Sequence, residues 1–525
     1  MTEILLQQLA TTGLAPPLSL GEGERFSAGF LNPLTQLDVY ERSITATGGS
    51  VFFMGSRNGK KYLGVISTVA EFLQRFESIE QQSALGAHDL HMIVASLTSK
   101  NALAIREAIP FLKPRTLGLV KSIGCGDRLG MGTSGHLRAV RKTVIAPILA
   151  QQSVRENERT GRSPREVLDD AVWGVFQEGW RAGFGADADH LKTKADVQAF
   201  ADAGYSFYTI DPGTHVDNQA DRASGDLLLR KVEAVPWDEL EITAADVTHQ
   251  LSGRPMDLSD FKAQFSKEEI LRAAVKYGRV VVHTVQMHRT LLNIMQDGPF
   301  ELEVSVDETE SVTTLAEHVY IAHELKRLGV KWVSLAPRYV GDFEKGVDYI
   351  GDVQAFEKSF FQHVGVARTF GPYKLSLHSG SDKLSIYPII GKLAGDLCHV
   401  KTAGTSYLEA LRTLSRVNSP LFRHIVRIAM EHYDMDRATY HVSAEISKVP
   451  DLDALSDEAL SALLDDFHAR EVLHVTYGSV IHHPALRDPF FETLRAHEED
   501  YARALETHFD THLRRLQSGE GNEFP

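Results

Sequence analysis

The chain has 525 residues, of which 43% are hydrophobic and 24% are charged. These values are ordinary for a folded globular protein and exclude a disordered, collagen-like or coiled-coil chain. The 70 acidic and 55 basic side chains give a formal net charge of −15. Because no basic cluster offsets this charge, the sequence argues against a nucleic-acid or anionic-membrane partner.

The cysteine count and the apolar pattern narrow the class further. The two cysteines, Cys125 and Cys398, exclude a disulfide framework and a cysteine-based zinc site. Met1–Leu20 contains no Lys or Arg and is a poor signal peptide, and no apolar run reaches the roughly 18 residues of a spanning helix. We therefore expect a cytoplasmic protein with a small-molecule substrate, which could also form a homo-oligomer.

Residues 1–114 are interpreted as an accessory α/β region. A short helix is predicted at Ile4–Leu9, strands at Tyr62–Ile66 and Met92–Ala95, and an amphipathic helix at Val69–Phe76. The segment groups few reactive side chains, so we expect it to support or cap another domain.

Residues 115–406 carry eight short apolar runs, each followed by a polar cluster, with helical patterns between most of them. The runs are Leu117–Lys121, Pro147–Ala150, Gly183–Gly185, Ser206–Ile210, Phe300–Val306, Lys331–Leu335, Tyr373–Leu377 and Leu397–Val400. Strands that alternate with helices indicate parallel βαβ units. Eight such units predict an α/β fold of the TIM type, a closed (β/α)8 barrel.

Two further segments complete the predicted architecture. Residues 217–298 are an insertion after the fourth strand, with a long helix over roughly Lys267–Met295. Residues 407–525 are predicted to form a helical extension packed on the barrel, with helices at Leu421–Ala429 and Tyr501–Leu516. An extra strand is considered at Thr439–Val442, and the last eight residues are expected to fray.

Three histidines lie at predicted strand ends, where barrel enzymes build their active sites. His190 follows the third run, His378 follows the seventh, and His399 lies in the eighth. A single histidine is more often a hydrogen-bonded structural residue, but three at one rim could bind Zn, Ni, Co, Mn or Fe. His399 is included because the seventh and eighth strands are neighbours.

Carboxylates accompany these histidines. Asp189 precedes His190, and Glu303 belongs to an alternating strand pattern in which Glu303, Ser305 and Asp307 face the same way. A buried carboxylate must be paired, protonated or metal-bound, so Glu303 is a candidate for a metal ligand or for an acid/base group with a raised pKa. Asp189 is a candidate for acid/base catalysis from the opposite side of the barrel mouth. Salt bridging to Lys or Arg within the barrel is the alternative.

Other polar residues near the predicted rim could bind a substrate. The cations Arg338, Lys345, Lys383 and Lys401 follow the sixth, seventh and eighth runs and could hold a carboxylate or a phosphate. Ser153, Glu156 and Asp382 complete the set of candidate substrate-binding residues. The rest of the segment around Arg155–Arg162 is expected to be the solvated start of a helix.

Several long motifs resemble the tagaturonate/fructuronate epimerase family. They are GDRLG at 126, QQSVRENERTGR at 151, VLDDAVWGVFQEG at 167, GFGADADH at 183, EVSVDETE at 303, KLSLHSGSDK at 374, HVKTAGTSYLEA at 399 and HVTYGSV at 474. The resemblance spans about residues 115–485. It implies a divalent-metal-dependent barrel enzyme that interconverts D-tagaturonate and D-fructuronate. By resemblance, Asp189 would be the base, Glu303 its acid partner, and His190 and His378 metal ligands.

The chemistry of this epimerisation favours a retro-aldol route. The inverted carbon, C3, is β to the C5 ketone, so its C–H bond is not acidic. Removal of the C3 hydroxyl proton would instead break the C3–C4 bond, with the metal as a Lewis acid and two carboxylates exchanging protons. The alternatives are another metal-dependent sugar aldolase or ketose isomerase, and a non-catalytic protein that binds sugar acids.

Overall fold

The computed structural model describes residues 28–83 and 90–518. The helix predicted at Ile4–Leu9 and the end of the chain from residue 519 lie outside the described residues. Within them, no helix is both long and apolar enough to cross a lipid bilayer.

The central feature is a closed barrel of eight parallel strands, as the alternation of strands and helices predicted. The strands are β7 (Ser122–Cys125), β8 (Ala146–Ser153), β9 (Gly185–Leu191), β10 (Phe207–Ile210), β13 (Glu301–Val306), β14 (Ser334–Pro337), β15 (Lys374–Leu377) and β16 (Cys398–Thr402). They pair in this order, and β16 closes the barrel against β7. All carboxyl ends therefore point to one rim.

The first, third and sixth barrel strands each lie at least two residues later in the chain than predicted. Leu117–Lys121 is not the first strand; it precedes β7, and Gly118 adopts a left-handed φ of 69° there. The third strand is not the apolar run Gly183–Gly185 but the polar motif that follows it, so Asp187 and Asp189 lie within β9. Asp187 and Asp189 are both buried, and the ammonium of Lys401 pairs with each of them.

Helices surround the barrel and follow the strands in the chain. The helices between β7 and β10 are α4 (Thr133–Val140), α5 (Val154–Thr160), α6 (Pro164–Gln177) and α7 (Lys194–Ala203). The helices between β13 and β16 are α12 (Leu315–Arg327), α13 (Val353–Phe370) and α14 (Tyr387–Ala394). The buried face of α12 includes Val319, Ala322 and Leu325, which recur at helical spacing.

The predicted insertion between β10 and β13 is present as a helical unit. It contains α8 (Gly225–Glu233), α9 (Trp237–Leu240), α10 (Ala244–Leu251), the small hairpin β11 (Met256–Leu258) and β12 (Phe261–Ala263), and α11 (Lys267–Met295). The bounds of α11 agree with the prediction. Ser266 and Glu269 form a reciprocal capping box at its start, which satisfies backbone N–H groups that would otherwise lack partners.

An antiparallel sheet of six strands precedes the barrel. Its strands are β1 (Asp38–Val39), β2 (Thr45–Thr47), β3 (Ser50–Arg57), β4 (Lys60–Ser67), β5 (Ser78–Ser83) and β6 (His91–Ser96), with helices α1 (Ala28–Thr35), α2 (Ala70–Leu73) and α3 (Ser99–Ala108). β3 and β4 are joined by Asn58-Gly59, both with positive φ, as a tight hairpin requires. The helix predicted over Val69–Phe76 is shorter, but Phe72 and Phe76 still pack against Phe52.

The chain after the barrel is mainly helical, as predicted. It contains α15 (Thr405–Val417), α16 (Ser419–Asp436), α17 (Phe467–Val475), α18 (Tyr477–His482), α19 (Arg487–Ala496) and α20 (Glu498–Gln517). The strand considered at Thr439–Val442 is wrong. A short 3-10 turn covers Arg437–Thr439, and the backbone after it is irregular. The ring of Tyr440 contacts the guanidinium groups of Arg155 and Arg159.

Candidate active site

A group of three side chains at the barrel rim could hold a metal ion. His190 lies at the end of β9, Asp307 directly follows β13, and His378 directly follows β15. Each offers one ligand atom, and these three atoms lie within 4.8 Å of one another. The two imidazole rings meet edge to face, with centroids 5.0 Å apart. Residues far apart in the chain are therefore brought to one point by the barrel.

Each imidazole of this group has a carboxylate behind it. His190 Nδ1 lies 3.4 Å from Asp211 Oδ2, and His378 Nε2 lies 2.7 Å from Glu303 Oε1. Metal-binding histidines usually donate their second N–H to a carboxylate, which fixes the ring and leaves the other nitrogen for the ion. His378 Nδ1 is 3.2 Å from Asp307 Oδ1, on the side where an ion would bind.

The electrostatics of the group also fit a cation. Burial alone would lower the pKa of His190, but the charge of Asp189 and the nearby carboxylate of Asp211 outweigh it and raise that pKa to about 10. The carboxylates thus favour positive charge at this point. Two imidazole nitrogens and one carboxylate oxygen are a common donor set for Zn and other first-row divalent ions.

His399 does not lie with the other two histidines, so its position does not support the prediction that it is a ligand. Its Nδ1 is 3.0 Å from Ser122 Oγ, and its ring faces Phe207. Burial lowers its pKa to about 3, which keeps the ring neutral. Inward-facing residues of a strand are two apart, and Lys401 occupies the next layer toward the rim. The prediction for His399 used only the fact that the seventh and eighth strands are neighbours. It did not consider how deep in the barrel each side chain lies.

Lys401 is the centre of a buried charge network beneath the rim. Its Nζ lies 2.6 Å from Asp189 Oδ1, 2.8 Å from Asp187 Oδ2 and 2.8 Å from Glu303 Oε1, and it donates to Thr209 at 2.7 Å. Burial would lower the pKa of Lys401, but the three carboxylates raise it well above its ordinary value. Lys401 is therefore a fixed cation that permits three acids to be buried together.

The acids of this network differ in their affinity for protons. Burial, together with repulsion from Asp189 and Glu303, raises the pKa of Asp187 to about 7 despite Lys401. For Asp189 the effect of burial is outweighed by Lys401 and the nearby histidines, so its pKa lies below its usual value. Gln151 Nε2 donates to Asp189 Oδ2 at 2.8 Å and orients this carboxylate. The network thus holds an ionised acid next to one that binds a proton near neutral pH.

Glu303 lies deeper than predicted for a group that contacts a substrate. Burial would raise its pKa, but Lys401 and His378 lower that pKa well below its usual value, so the predicted raised pKa is wrong. Glu303 is fully buried and accepts from Ser334 Oγ at 2.6 Å and Thr209 Oγ1 at 3.1 Å, in addition to its contacts with His378 and Lys401. Two cavities lie at the rim, a larger one of about 270 Å³ and a smaller one of about 40 Å³. Glu303 lines neither of these rim cavities. Asp189 does line the smaller cavity.

Four of the predicted substrate-binding residues, besides Lys401, line these cavities. Ser153 and Glu156 form the capping box of α5 and line the smaller cavity, where Arg128 donates to Glu156 at 2.8 and 3.0 Å. Lys345 lines both cavities, and its Nζ donates to Ser379 Oγ at 2.5 Å. Arg338 lines the larger cavity, but its guanidinium also donates to the Thr309 carbonyl.

Asp382 and Lys383 line neither cavity, so their positions do not support a role in substrate binding. Lys383 Nζ donates to the carbonyls of Glu344, Val347 and Ser381 at 2.5–3.1 Å. Asp382, with a positive φ of 63°, contacts Arg470 at 2.8 Å and His508 at 2.7 Å. The loop after β15 turns away from the rim at this point, which the linear sequence did not indicate.

Several site residues were missed from the sequence. Asp307 was identified only as facing the same way as Glu303, although the alternation of EVSVDETE placed it at the rim end of the strand. Asp187 and Asp211 were given no role, although Asp187 lies two residues before Asp189 and Asp211 directly follows the fourth run. Arg155 was expected to be solvated, and Tyr440 comes from the extension beyond the barrel; no local signal marks either residue.

The barrel and its rim therefore define a TIM-type enzyme with a candidate metal centre at the carboxyl ends of the strands. The polar cavity above a buried acid–lysine network suits a small polar substrate.

Comparison with known proteins identifies the family. A family model described as tagaturonate epimerase matches residues 40–516. Over 480 residues the chain is 40% identical to the tagaturonate/fructuronate epimerase of Thermotoga maritima, covering 91% of this chain and 97% of that protein. The chain belongs to the tagaturonate epimerase family, which confirms the resemblance, and the protein is an isomerase.

Solved structures agree with this assignment. The native crystal structure of fructuronate-tagaturonate epimerase UxaE from Cohnella laeviribosi superposes with a TM-score of 0.86 at 33% identity, covering 93% of this chain and 99% of that one. A glycerol complex of the same enzyme gives the same TM-score and identity, with 93% and 98% coverage.

Proposed function

We propose that the protein is a divalent-metal-dependent epimerase that interconverts D-tagaturonate and D-fructuronate. Family membership supports the reaction, and the observation that carries the metal dependence is the convergence of His190, Asp307 and His378 within 4.8 Å. These three residues would hold the ion. When bound, a divalent cation would supply Lewis acidity that polarises the C5 ketone of the substrate.

The proton transfers are assigned to Asp189. Its ionised carboxylate, held by Gln151 and Lys401, faces the smaller cavity and can accept the proton of the C3 hydroxyl. As the C3–O proton leaves, the C3–C4 bond breaks and its electron pair becomes part of a three-carbon enediolate over C4–C6. The C1–C3 fragment is released from that bond as an aldehyde that retains the carboxylate.

Inversion follows when the aldehyde rotates about its C2–C3 bond and the enediolate attacks its other face. The new C3 alkoxide then takes a proton from the Asp189–Lys401–Asp187 network, where Asp187 binds a proton near neutral pH. We propose that Glu303 is a positioning residue, because it holds His378 and Lys401 and does not line the cavity. This differs from the role of direct acid that the resemblance implied.

The proposed function is tested with purified protein before and after chelation. We expect interconversion of the two keto-uronates, its loss with the metal, and its return with an added divalent ion. Asp307→Asn and His190→Gln should lower the bound metal measured by mass spectrometry and lower activity by at least about 100-fold. Glu310→Gln, an exposed carboxylate in the same loop, and His399→Gln should keep the metal. Full activity in the metal-free protein would reject metal dependence.

The route is tested by running the reaction in D2O. Retro-aldol cleavage leaves the hydrogen on C3 in place, so the product should contain no carbon-bound deuterium at C3. Deuterium at C3, detected by NMR of the product, would reject the retro-aldol route and support deprotonation of that carbon.

A further inference from the structure

Among the described residues, two basic side chains at the rim cavities have no carboxylate oxygen closer than 3.5 Å. Three other cations there are already engaged: Arg128 by Glu156, Lys401 by three acids, and Arg338 by a backbone carbonyl. The remaining cations are Lys345 and Arg155, which line both cavities. The site is rich in acids, yet two such cations line its cavities. This arrangement is suited to an anionic group on the ligand.

Arg155 is held at the cavity with binding capacity to spare. Its Nε is buried and has no hydrogen-bond partner among the described residues, and its nearest carboxylate, Glu308, lies at 3.5 Å. Its guanidinium carbon is 5.2 Å from the centre of the Tyr440 ring, which orients the side chain by a cation–π contact. An unpaired buried guanidinium N–H is costly, and a ligand oxygen would remove that cost.

Tyr440 reaches this cavity from the extension beyond the barrel. Its ring contacts the guanidinium groups of both Arg155 and Arg159, at 5.2 and 4.7 Å from the ring centre. Arg159 also donates to Thr439 Oγ1 at 2.6 Å. The hydroxyl of Tyr440 is buried, lacks a hydrogen-bond partner in the described part of the chain, and belongs to a residue that lines both cavities. It is therefore a free donor beside Arg155.

Lys345 places the second cation next to the candidate metal centre. Its Nζ donates to Ser379, the residue that follows His378 in the chain. Within residues 28–83 and 90–518, the Lys345 ammonium forms no ion pair, because no carboxylate oxygen lies within 4.0 Å of it. Lys345 and Arg155 line the same two cavities, and burial together with the charge of Arg155 lowers the pKa of Lys345.

We propose that Arg155, Tyr440 and Lys345 form the subsite that binds the carboxylate of the substrate and so select sugar acids over neutral ketoses. This inference rests on the proposed function and deepens it. The carboxylate lies on the C1–C3 fragment, the part that must rotate after the C3–C4 bond breaks. Charge-assisted hydrogen bonds to C1 anchor that fragment at one end while its aldehyde turns.

The test compares charged and neutral substrates with variants of the subsite. Arg155→Met should raise KM for D-fructuronate by at least about tenfold, the loss expected for a charge-assisted bond, with a smaller effect on kcat. Turnover of D-fructose, in which CH2OH replaces the carboxylate, should not fall. Tyr440→Phe should raise KM by about threefold, and Arg155→Lys should restore part of the loss.

Arg159→Met is the matched control. Arg159 lies one turn further along α5, contacts the same Tyr440 ring, and lines neither cavity. If the subsite acts through charge, this variant should keep the preference for uronate over ketose within about threefold. An equal loss of preference in Arg159→Met and Arg155→Met would show that packing on Tyr440 explains the effect, and would overturn the proposal.

Inhibition gives the same comparison without turnover of a neutral sugar. D-gluconate should inhibit the wild type more strongly than D-glucitol, and Arg155→Met should abolish most of this difference. If Arg155→Met retains the wild-type preference for acids in both assays, the inference is wrong. A wild type that does not interconvert the keto-uronates would instead refute the proposed function, and the wild-type assay alone reports that outcome.

Discussion

At the scale of single residues, backbone conformation contributes to the geometry of the rim. His190 and Ser379 have positive φ values of 55° and 50°, a region that residues other than glycine rarely adopt. Such conformations persist only where the surroundings enforce them, and they concentrate at functional sites. Here they aim His190 at the candidate metal centre and place Ser379 under the ammonium of Lys345.

Two buried lysines of this region should respond differently to substitution. Lys401→Met leaves three buried carboxylates without their cation, so we expect a loss of stability of about 3–5 kcal/mol and a fall in kcat of at least about 100-fold. Lys383→Met removes hydrogen bonds to three carbonyls outside the cavity and should lower stability alone. Urea denaturation and kcat per folded molecule separate these effects. An equal fall in kcat for Lys383→Met would instead support the predicted role of Lys383 in substrate binding.

At the scale of elements, the helix α20 holds the loop that follows His378. His508 of α20 lies 2.7 Å from Asp382 Oδ1, and the Asp382 backbone N–H donates to His512 Nε2 at 3.0 Å. Arg470 of α17 contacts the other oxygen of Asp382 at 2.8 Å. Helices distant in the chain thus fix the conformation of a loop that carries a candidate metal ligand.

A carboxyl pair secures the segment that follows Tyr440. Glu471 Oε2 accepts from the backbone N–H groups of Ser443 and Ala444 at 3.1 and 2.8 Å, and Glu344 Oε2 accepts from Ser443 Oγ at 2.7 Å. Burial, followed by the hydrogen bond and charge of Glu344, raises the pKa of Glu471 to about 8. The folded protein therefore holds a proton here that the unfolded chain releases at its ordinary pKa of about 4.3.

This proton makes stability depend on pH. Between about pH 4.3 and pH 8 the folded state binds more protons than the unfolded chain at this residue, so its contribution to stability is lost as pH rises. Glu471→Gln has no proton to lose, so its free energy of unfolding should fall less than that of the wild type between pH 5 and pH 9. Glu458→Gln, at an exposed position, is the control and should follow the wild type. Parallel urea-denaturation profiles for all three proteins would contradict this assignment.

At the scale of the whole molecule, the two rim cavities are formed by the barrel and the extension. All their lining residues fall between Arg128 and His441. None comes from the described part of residues 28–114. The N-terminal sheet instead packs outside the barrel, where Lys61 pairs with Glu498 of α20 at 2.7 Å and Arg42 with Glu178 at 2.8 Å. It supports the barrel wall and the last helix. The three-domain division at residues 114 and 406 remains a prediction.

The candidate metal centre joins three separate strands, so metal binding should stabilise the entire fold. At a free concentration 100 times Kd, a bound ion adds about 2.7 kcal/mol, which corresponds to roughly 2–3 °C in Tm for a chain of this length. We expect this shift when a divalent ion is added to chelated protein, and no shift in Asp307→Asn. Differential scanning calorimetry measures it; an identical shift in both proteins would place the ion elsewhere.

The sequence by itself determined the barrel and much of its rim. Strand–helix alternation is a local property of apolar periodicity, so eight units could be counted, and the bounds of α11 followed from its pattern and cap. His190 and Asp189 could be identified because side chains at the ends of parallel strands must meet. The motifs around them also sufficed to identify the family.

Only the tertiary structure decided how deep each side chain lies in the barrel and in which direction it points. His399 and Lys401 lie on the same strand and face the same way, yet one layer separates a neutral ring against Ser122 from the cation of the acid network. Asp382 turns toward α20, whereas Arg155 turns toward the cavity because Tyr440, 285 positions later, packs against it. Such contacts depend on where distant segments meet in space, and no local pattern of residues encodes that distance.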